Sequence, residues 1–264
     1  MAERTAEPKG LADLGGEWIM TLGGGCAILL QLAHPSVGRG VAEHSDFASR
    51  PYDRLVGTLT YVTAVACGTA DDVRAVHRAV GRAHAPVRGP ADGTLGAYTA
   101  FDPELQLWVT ATLYWTAVRV HERVFGALDA ASADRFYREF AAIGTSLQLR
   151  ADAWPATRPD FARYWDDALS RLTVLPAARE ACRRLLRAEH APLWMRAAMP
   201  FARLATVGFL PVELRAPYRL VLTTRNRRRF DRMMRVIAAI YPRLPLSARH
   251  IVRDRLLRRL RSGV

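Results

Sequence analysis

At 264 residues, half of them apolar, the chain is long enough to bury a sizeable core and too rich in apolar residues for global disorder. Three cysteines, Cys26, Cys67 and Cys182, are odd in number and far apart, and no CxxC or CxxCH occurs, which argues against a disulfide framework, a zinc knuckle and covalently attached c-type haem. The net charge of +13 is confined to one end: residues 201–264 hold 16 basic and 3 acidic groups, whereas residues 1–200 hold 22 of each.

Residues 1–12 are polar and read as a frayed end. The apolar run from Trp18 to Ala33 spans 16 residues, fewer than the roughly 20 a bilayer-crossing helix needs. Glu3, Glu7, Asp13 and Glu17 stand where a secretory leader would carry positive charge, so a soluble, cytoplasmic protein is expected. Gly23, Gly24 and Gly25 in that run follow no strand and miss the GxGxxG spacing, which points to close helix packing rather than a phosphate loop. His34-Pro35 reads as a helix end, and His44 falls in the loop-like "AEHSDF".

Pro51 suits the first turn of a helix whose buried stripe is Leu55, Leu59, Val62 and Ala66. Asp71 and Asp72 favour a second start, for a helix running through Val73, Val76, His77, Val80 and His84 and closed by Pro86 and Gly89. After the "GPADG" turn and Asp102-Pro103, a long helix is expected from Glu104 to about Phe125. Ser132 and Asp160 read as starts of the next two helices, which carry Phe136, Phe140 and Ile143, then Phe161, Trp165 and Leu169. Further helices are predicted at 176–191, 192–206, 217–240 and 247–261, the last capped by Ser247 with Val252, Leu256 and Leu260 as its apolar line. Alternating runs with hairpin turns are nearly absent, so the fold is all-α, a single multi-helix bundle over residues 1–264 without internal repeats.

Arg54 and Thr58 lie four residues apart and share a helix face. By themselves they read either as a partly exposed edge or as a guanidinium and a hydroxyl directed into a pocket, where they could bond a carboxylate or bound dioxygen. His84 and Arg88 repeat the spacing in "HAPVRG". An imidazole carried by a helix toward an apolar cavity suits axial ligation of haem iron, although a lone histidine more often makes an ordinary hydrogen bond, and Pro86 interrupts the helix just after it. His77, seven residues earlier and nearly on the same face, is the rival ligand. His44 is placed to line the distal side of such a pocket, while His34 suits turn or capping chemistry. No ExxH pair, HExxH, GxSxG or Walker loop occurs, which removes di-iron, zinc-protease, serine-hydrolase and nucleotide-hydrolysing readings.

The segments "TTRNRRRFDRMMR" and "RHIVRDRLLRRLR" admit three readings. They suit an anionic membrane surface with Leu256, Leu257 and Leu260 dipping in, a nucleic acid, or a solvated arginine face on helices that close the bundle. No DNA-binding motif stands out, so no specific nucleic acid is expected.

Four stretches in order, "LLQLAHPSVGRGVAEHSDF", the Arg54-to-Thr58 spacing, "HAPVRG" and "YTAFDPELQLWVTATL", resemble the MpaB-like oxygenase family, which includes the rubber oxygenase or latex clearing protein. The resemblance covers about residues 15–175. It implies an all-α fold with a globin-like core, haem b as cofactor, and dioxygen and a hydrophobic small molecule as substrates. It makes His84 the proximal iron ligand, sets Arg88 in the matching place four residues on, and gives Arg54 and Thr58 a role beside the haem. Two departures stand out. The rubber oxygenase has an iron-coordinating lysine where this chain has Gly57, and some relatives have a histidine where it has Thr110, so the substrate does not carry over. The leading expectation is a haem-b-dependent oxygenase acting on an apolar substrate such as an unsaturated lipid or terpenoid. The alternatives are a non-catalytic haem-binding or sensor protein, or a peripheral membrane or nucleic-acid-binding protein acting through residues 201–264.

Overall fold

A computed structural model describes residues 9–44, 51–92, 95–147, 149–188 and 191–263. The first helices are α1 (Leu11–Gly15), α2 (Gly24–Ala33), α3 (Pro35–His44), α4 (Pro51–Cys67) and α5 (Ala70–His84), with a 3₁₀ turn at Trp18–Gly23 between α1 and α2. A two-residue hairpin follows, β1 (Arg88–Gly89) against β2 (Tyr98–Thr99), antiparallel. Next come α6 (Pro103–Phe125), α7 (Ala130–Thr145), α8 (Arg158–Ser170), α9 (Pro176–Arg187) and α10 (Leu193–Phe209). The chain ends with α11 (Val212–Arg215), α12 (Thr224–Ile240), α13 (Leu246–Arg249) and α14 (Ile251–Arg261). The fold is all-α; the hairpin leaves no mark in the sequence because two residues per strand are too few to show an alternation.

Side-chain caps start the main helices. Thr69 and Asp72 form a reciprocal box at the head of α5, and Thr157 and Asp160 form another at α8. The Asp102 carboxylate accepts from the Glu104 amide at 2.8 Å, with Pro103 in the first turn of α6. Three predicted starts shift. The helix expected at 217–240 begins only at Thr224. The α7 helix is capped by Asp129, whose carboxylate accepts from Ser132 N at 2.8 Å, so Ser132 lies inside the first turn. Asp160 likewise sits three residues inside α8. The predicted 247–261 helix is two, α13 and α14, separated at His250, and Ser247 lies within α13 rather than capping it.

The long helix α6 runs through the middle of the core. Its Tyr114 is ringed by Phe136, Tyr137, Phe140, Trp154 and Phe161 at centroid distances of 4.8–5.8 Å. Trp165 stacks between Trp108 and Trp115 at 5.4 and 4.8 Å. The glycine run behaves as its sequence suggests: a Cβ at Gly23 would stand 2.3 Å from Thr116 Cγ2 on α6, and one at Gly25 2.1 Å from Thr206 Oγ1 on α10. On α4 the predicted stripe is only half-buried; among its described residues the buried side chains are Tyr61, Thr63 and Ala64, and the Tyr61 hydroxyl donates a hydrogen bond to the Ile143 carbonyl across the core.

The arginine-rich end closes the bundle. Leu256 and Leu257 are buried, with α14 laid along α4 and α5, so they do not form a lipid-facing row. Buried Glu17 receives Arg249 through both guanidinium arms, and Tyr241 Oη donates to its Oε2 at 2.8 Å. Arg261 grips Asp72 with Nε and Nη2, the latter at 2.7 Å. Among the described residues, no helix is long and apolar enough to cross a membrane.

Candidate functional site

His84 is the last residue of α5, and its carbonyl accepts from Val87 N at 2.9 Å as the chain turns into the hairpin. The hairpin returns the chain to the same place: Ala100 N donates to the Val87 carbonyl at 2.9 Å, and the Phe101 ring stands edge-on to the imidazole with centroids 6.4 Å apart. Phe101 is 38% exposed, an apolar ring facing outward beside the histidine. Gln106, buried one turn into α6, donates to the Ala100 carbonyl at 3.1 Å, while its own Oε1 has no partner.

The half-buried His84 imidazole has its pKa lowered, first by burial and then by the nearby Arg54 guanidinium of α4. It is therefore neutral at physiological pH, with a lone pair free for a metal. Arg54 keeps more than a third of its surface exposed, yet crowding of its guanidinium lowers its pKa, and no carboxylate among the described residues offsets that. Thr58 is exposed one turn on, and its hydroxyl donates to the Arg54 carbonyl at 3.0 Å, leaving oxygen lone pairs outward. Gly57 on α4 and Gly81 on α5 border open space, since a Cβ at either would meet nothing within 4 Å.

The other predicted residues fall differently. Arg88 is on β1, beyond the end of α5, so its four-residue spacing from His84 is not a shared helix face. His44 ends α3 rather than sitting in a loop, is exposed, and its Nε2 lies 2.9 Å from the Arg88 carbonyl, which requires the proton on Nε2. His77 is exposed. His34 caps the end of α2, with a buried, unpartnered Nδ1 and a pKa lowered chiefly by burial. Thr110, in the place of a relative's histidine, is buried and donates to the Gln106 carbonyl at 2.8 Å. A partly open pocket of about 90 Å³, room for a few waters, touches none of these residues; it is lined by His121, Glu122 and Arg158 among others.

A clamp that sequence reading missed holds the hairpin. Arg39 Nε donates to Glu43 Oε1 at 2.7 Å, Tyr98 Oη donates to Glu43 Oε2 at 2.7 Å, and the Arg39 guanidinium lies 5.2 Å from the Tyr98 ring centre. Gly40 and Gly89 admit that ring, because a Cβ at either would approach it to 3.0 and 2.5 Å. The signal lay inside "HPSVGRGVAEHSDF", but the partner is 55 residues away. Among the described residues, no three His, Cys, Asp or Glu side chains form a metal-holding group.

A family model described as "ER-bound oxygenase mpaB/B'/Rubber oxygenase, catalytic domain" matches residues 13–239. The match runs well past residue 175, where the motif resemblance thins, because α10 and α12 pack on α2 and α6 and share their core. Uncharacterized proteins of Mycobacterium tuberculosis (strain H37Rv) and Mycobacterium bovis are each 37% identical over 215 residues, covering 80% of this chain and 84% of theirs. No solved structure matches the chain.

Proposed function

Since the chain belongs to the mpaB/rubber oxygenase catalytic-domain family, we propose that it is an oxygenase that holds haem b through His84 and oxidises an apolar substrate with dioxygen. The observation that carries this reading is a half-buried imidazole, its pKa lowered by burial, beside a guanidinium that no carboxylate among the described residues offsets. A porphyrin brings four nitrogen donors of its own, so one protein imidazole suffices where no cluster of metal-binding side chains stands. Its propionates are anions that suit Arg54, and its apolar face suits the Phe101 ring and the open space beside Gly57 and Gly81. The residues fit the group.

When bound, haem supplies the activation of dioxygen that no side chain here can provide. The protein's part is to fix the imidazole and the electrostatics around it. The α5 helix and the clamped hairpin hold His84 from both chain directions. Arg54 keeps its imidazole deprotonated and anchors negative charge, and Thr58 offers an oxygen acceptor and a reorientable proton. Gly57 has no side chain that could bind a metal, so it would leave its side of a bound group open.

The test is an optical spectrum with pyridine-haemochrome quantification of protein produced with added haemin. The wild type should hold about one haem per chain with a Soret band, His84→Ala should lose it, and His77→Ala should keep it. Dioxygen uptake should then rise on addition of apolar unsaturated substrates. A His84→Ala variant that keeps a full haem complement and an unchanged spectrum would sink the ligand assignment.

A further inference from the structure

Among the described residues, nine of the ten large apolar side chains left exposed lie between Leu193 and Ile251, the tenth being Phe101. The same part of the chain carries most of the excess positive charge. The two features meet on α10. Leu193, Trp194 and Phe201 are 80%, 61% and 63% exposed, and with exposed Ala197 they occupy positions i, i+1, i+8 and i+4. At 3.6 residues per turn these fall within roughly 100° of the helix circumference. Exposed Arg196 and Arg203 run along one flank of that strip. The inner face of α10 is already used: Gly208 and Phe209 press on Phe230 of α12, and Thr206 meets Gly25 of α2. This helix is thus apolar outward as well as inward, an arrangement that solubility alone does not favour.

We infer that the outward face of α10 is an interfacial anchor by which the protein docks on an anionic lipid bilayer. Charge selects this occupant. The adjoining helix α12 presents Arg225, Arg228, Arg229 and Arg232 to solvent, and the arginines of residues 201–264 face only three acidic residues in the same segment. Anionic headgroups complement such a field, and leucine and aromatic side chains with flanking arginines suit the headgroup–acyl boundary. A second copy of this chain would bring like charge against like, with a net +13 on each partner. Nucleic acid would satisfy the arginines but leave Leu193 and Phe201 in water. The leucines of α14 take no part, being packed in the core.

Co-sedimentation of the full chain with vesicles tests the assignment, using phosphatidylcholine alone and phosphatidylcholine with about a third phosphatidylglycerol. Binding should require the anionic lipid and weaken between about 0.1 and about 0.5 M salt. A Leu193→Asp/Phe201→Asp variant should bind at least about tenfold more weakly with unchanged circular dichroism and melting. Arg196→Gln/Arg203→Gln should weaken binding by a smaller factor and preserve it in low salt. Because both positions are on the surface, folding of these variants is checked independently of lipid. Equal vesicle binding by wild type and the Leu193/Phe201 variant would overturn the proposal. So would binding only to duplex DNA, no binding to either vesicle, or a concentration-dependent dimer in ultracentrifugation that the same variant abolishes.

Discussion

At the scale of single residues, the chemistry turns on how burial and one neighbouring cation set the charge of His84. Both push toward the neutral imidazole, and burial is the larger. Arg54→Gln should therefore raise the His84 pKa without restoring it to the ordinary value of 6.5, measurable by NMR titration of the haem-free protein. A fall in that pKa would contradict the proximity of the two groups. Glycines nearby divide sharply by what surrounds them. Gly81→Ala, in open space within α5, should stabilise the haem-free protein by about 0.5–1 kcal/mol, whereas Gly89→Ala should cost about 1–3 kcal/mol by driving a methyl into the Tyr98 ring. Urea midpoints of the two variants check this. The residue type and helical context of Arg54, Thr58 and His84 were visible in the sequence because their spacing is local. The Arg39–Glu43–Tyr98 clamp was not, since nothing in either segment encodes that a tyrosine 55 residues on closes it.

Among elements, the helices were legible wherever apolar periodicity and a cap agreed, as at α5, α6 and α8. At α7 and α8 the expected starts slipped by three residues because Asp and Ser three apart, or Thr and Asp three apart, both look like caps. Geometry gives the role to the earlier residue, whose side chain reaches forward to the free amides. Asp129→Ala should lose about 1 kcal/mol of stability, seen as a lower melting midpoint. The interruption at His250 had no local cue either. Arg249 is turned inward to Glu17 and lies 5.2 Å over the Phe125 ring, a tertiary contact that overrides helical continuity from 246 to 261. Arg249→Met leaves the Glu17 carboxylate buried without its cation and should cost about 3 kcal/mol in chemical denaturation. A loss below about 0.5 kcal/mol would mean the pair is solvated.

On the scale of the whole molecule, acid should unfold the protein in two stages. Burial holds the pKa of His121 down to about 4, and those of His34 and His84 are lowered as well, so the unfolded chain binds more protons as pH falls through 6.5. Their contribution is complete above 6.5 and shrinks between 6.5 and about 4. Asp72, with its pKa drawn down to about 2 by the Arg261 guanidinium, adds stability above 3.8 that disappears as pH falls toward 2. Denaturant midpoints across this range should decline in both windows, and Asp72→Asn should shrink the lower step while sparing the upper. An unchanged lower step would show that the tie is not made in solution. The +13 charge, read in the sequence as a feature of the tail, is partly tied down: Arg249 and Arg261 lock that segment onto the body, Arg215 and Arg253 are half-buried, and the remaining arginines of 201–264 are exposed.

The Asp72–Arg261 tie reaches further than stability. Asp72 sits in the box that starts α5, and the same helix delivers His84 at its other end, so the third residue from the end of the described chain braces the root of the imidazole-bearing helix. Arg261→Gln should therefore loosen the start of α5, seen as faster amide hydrogen exchange along that helix.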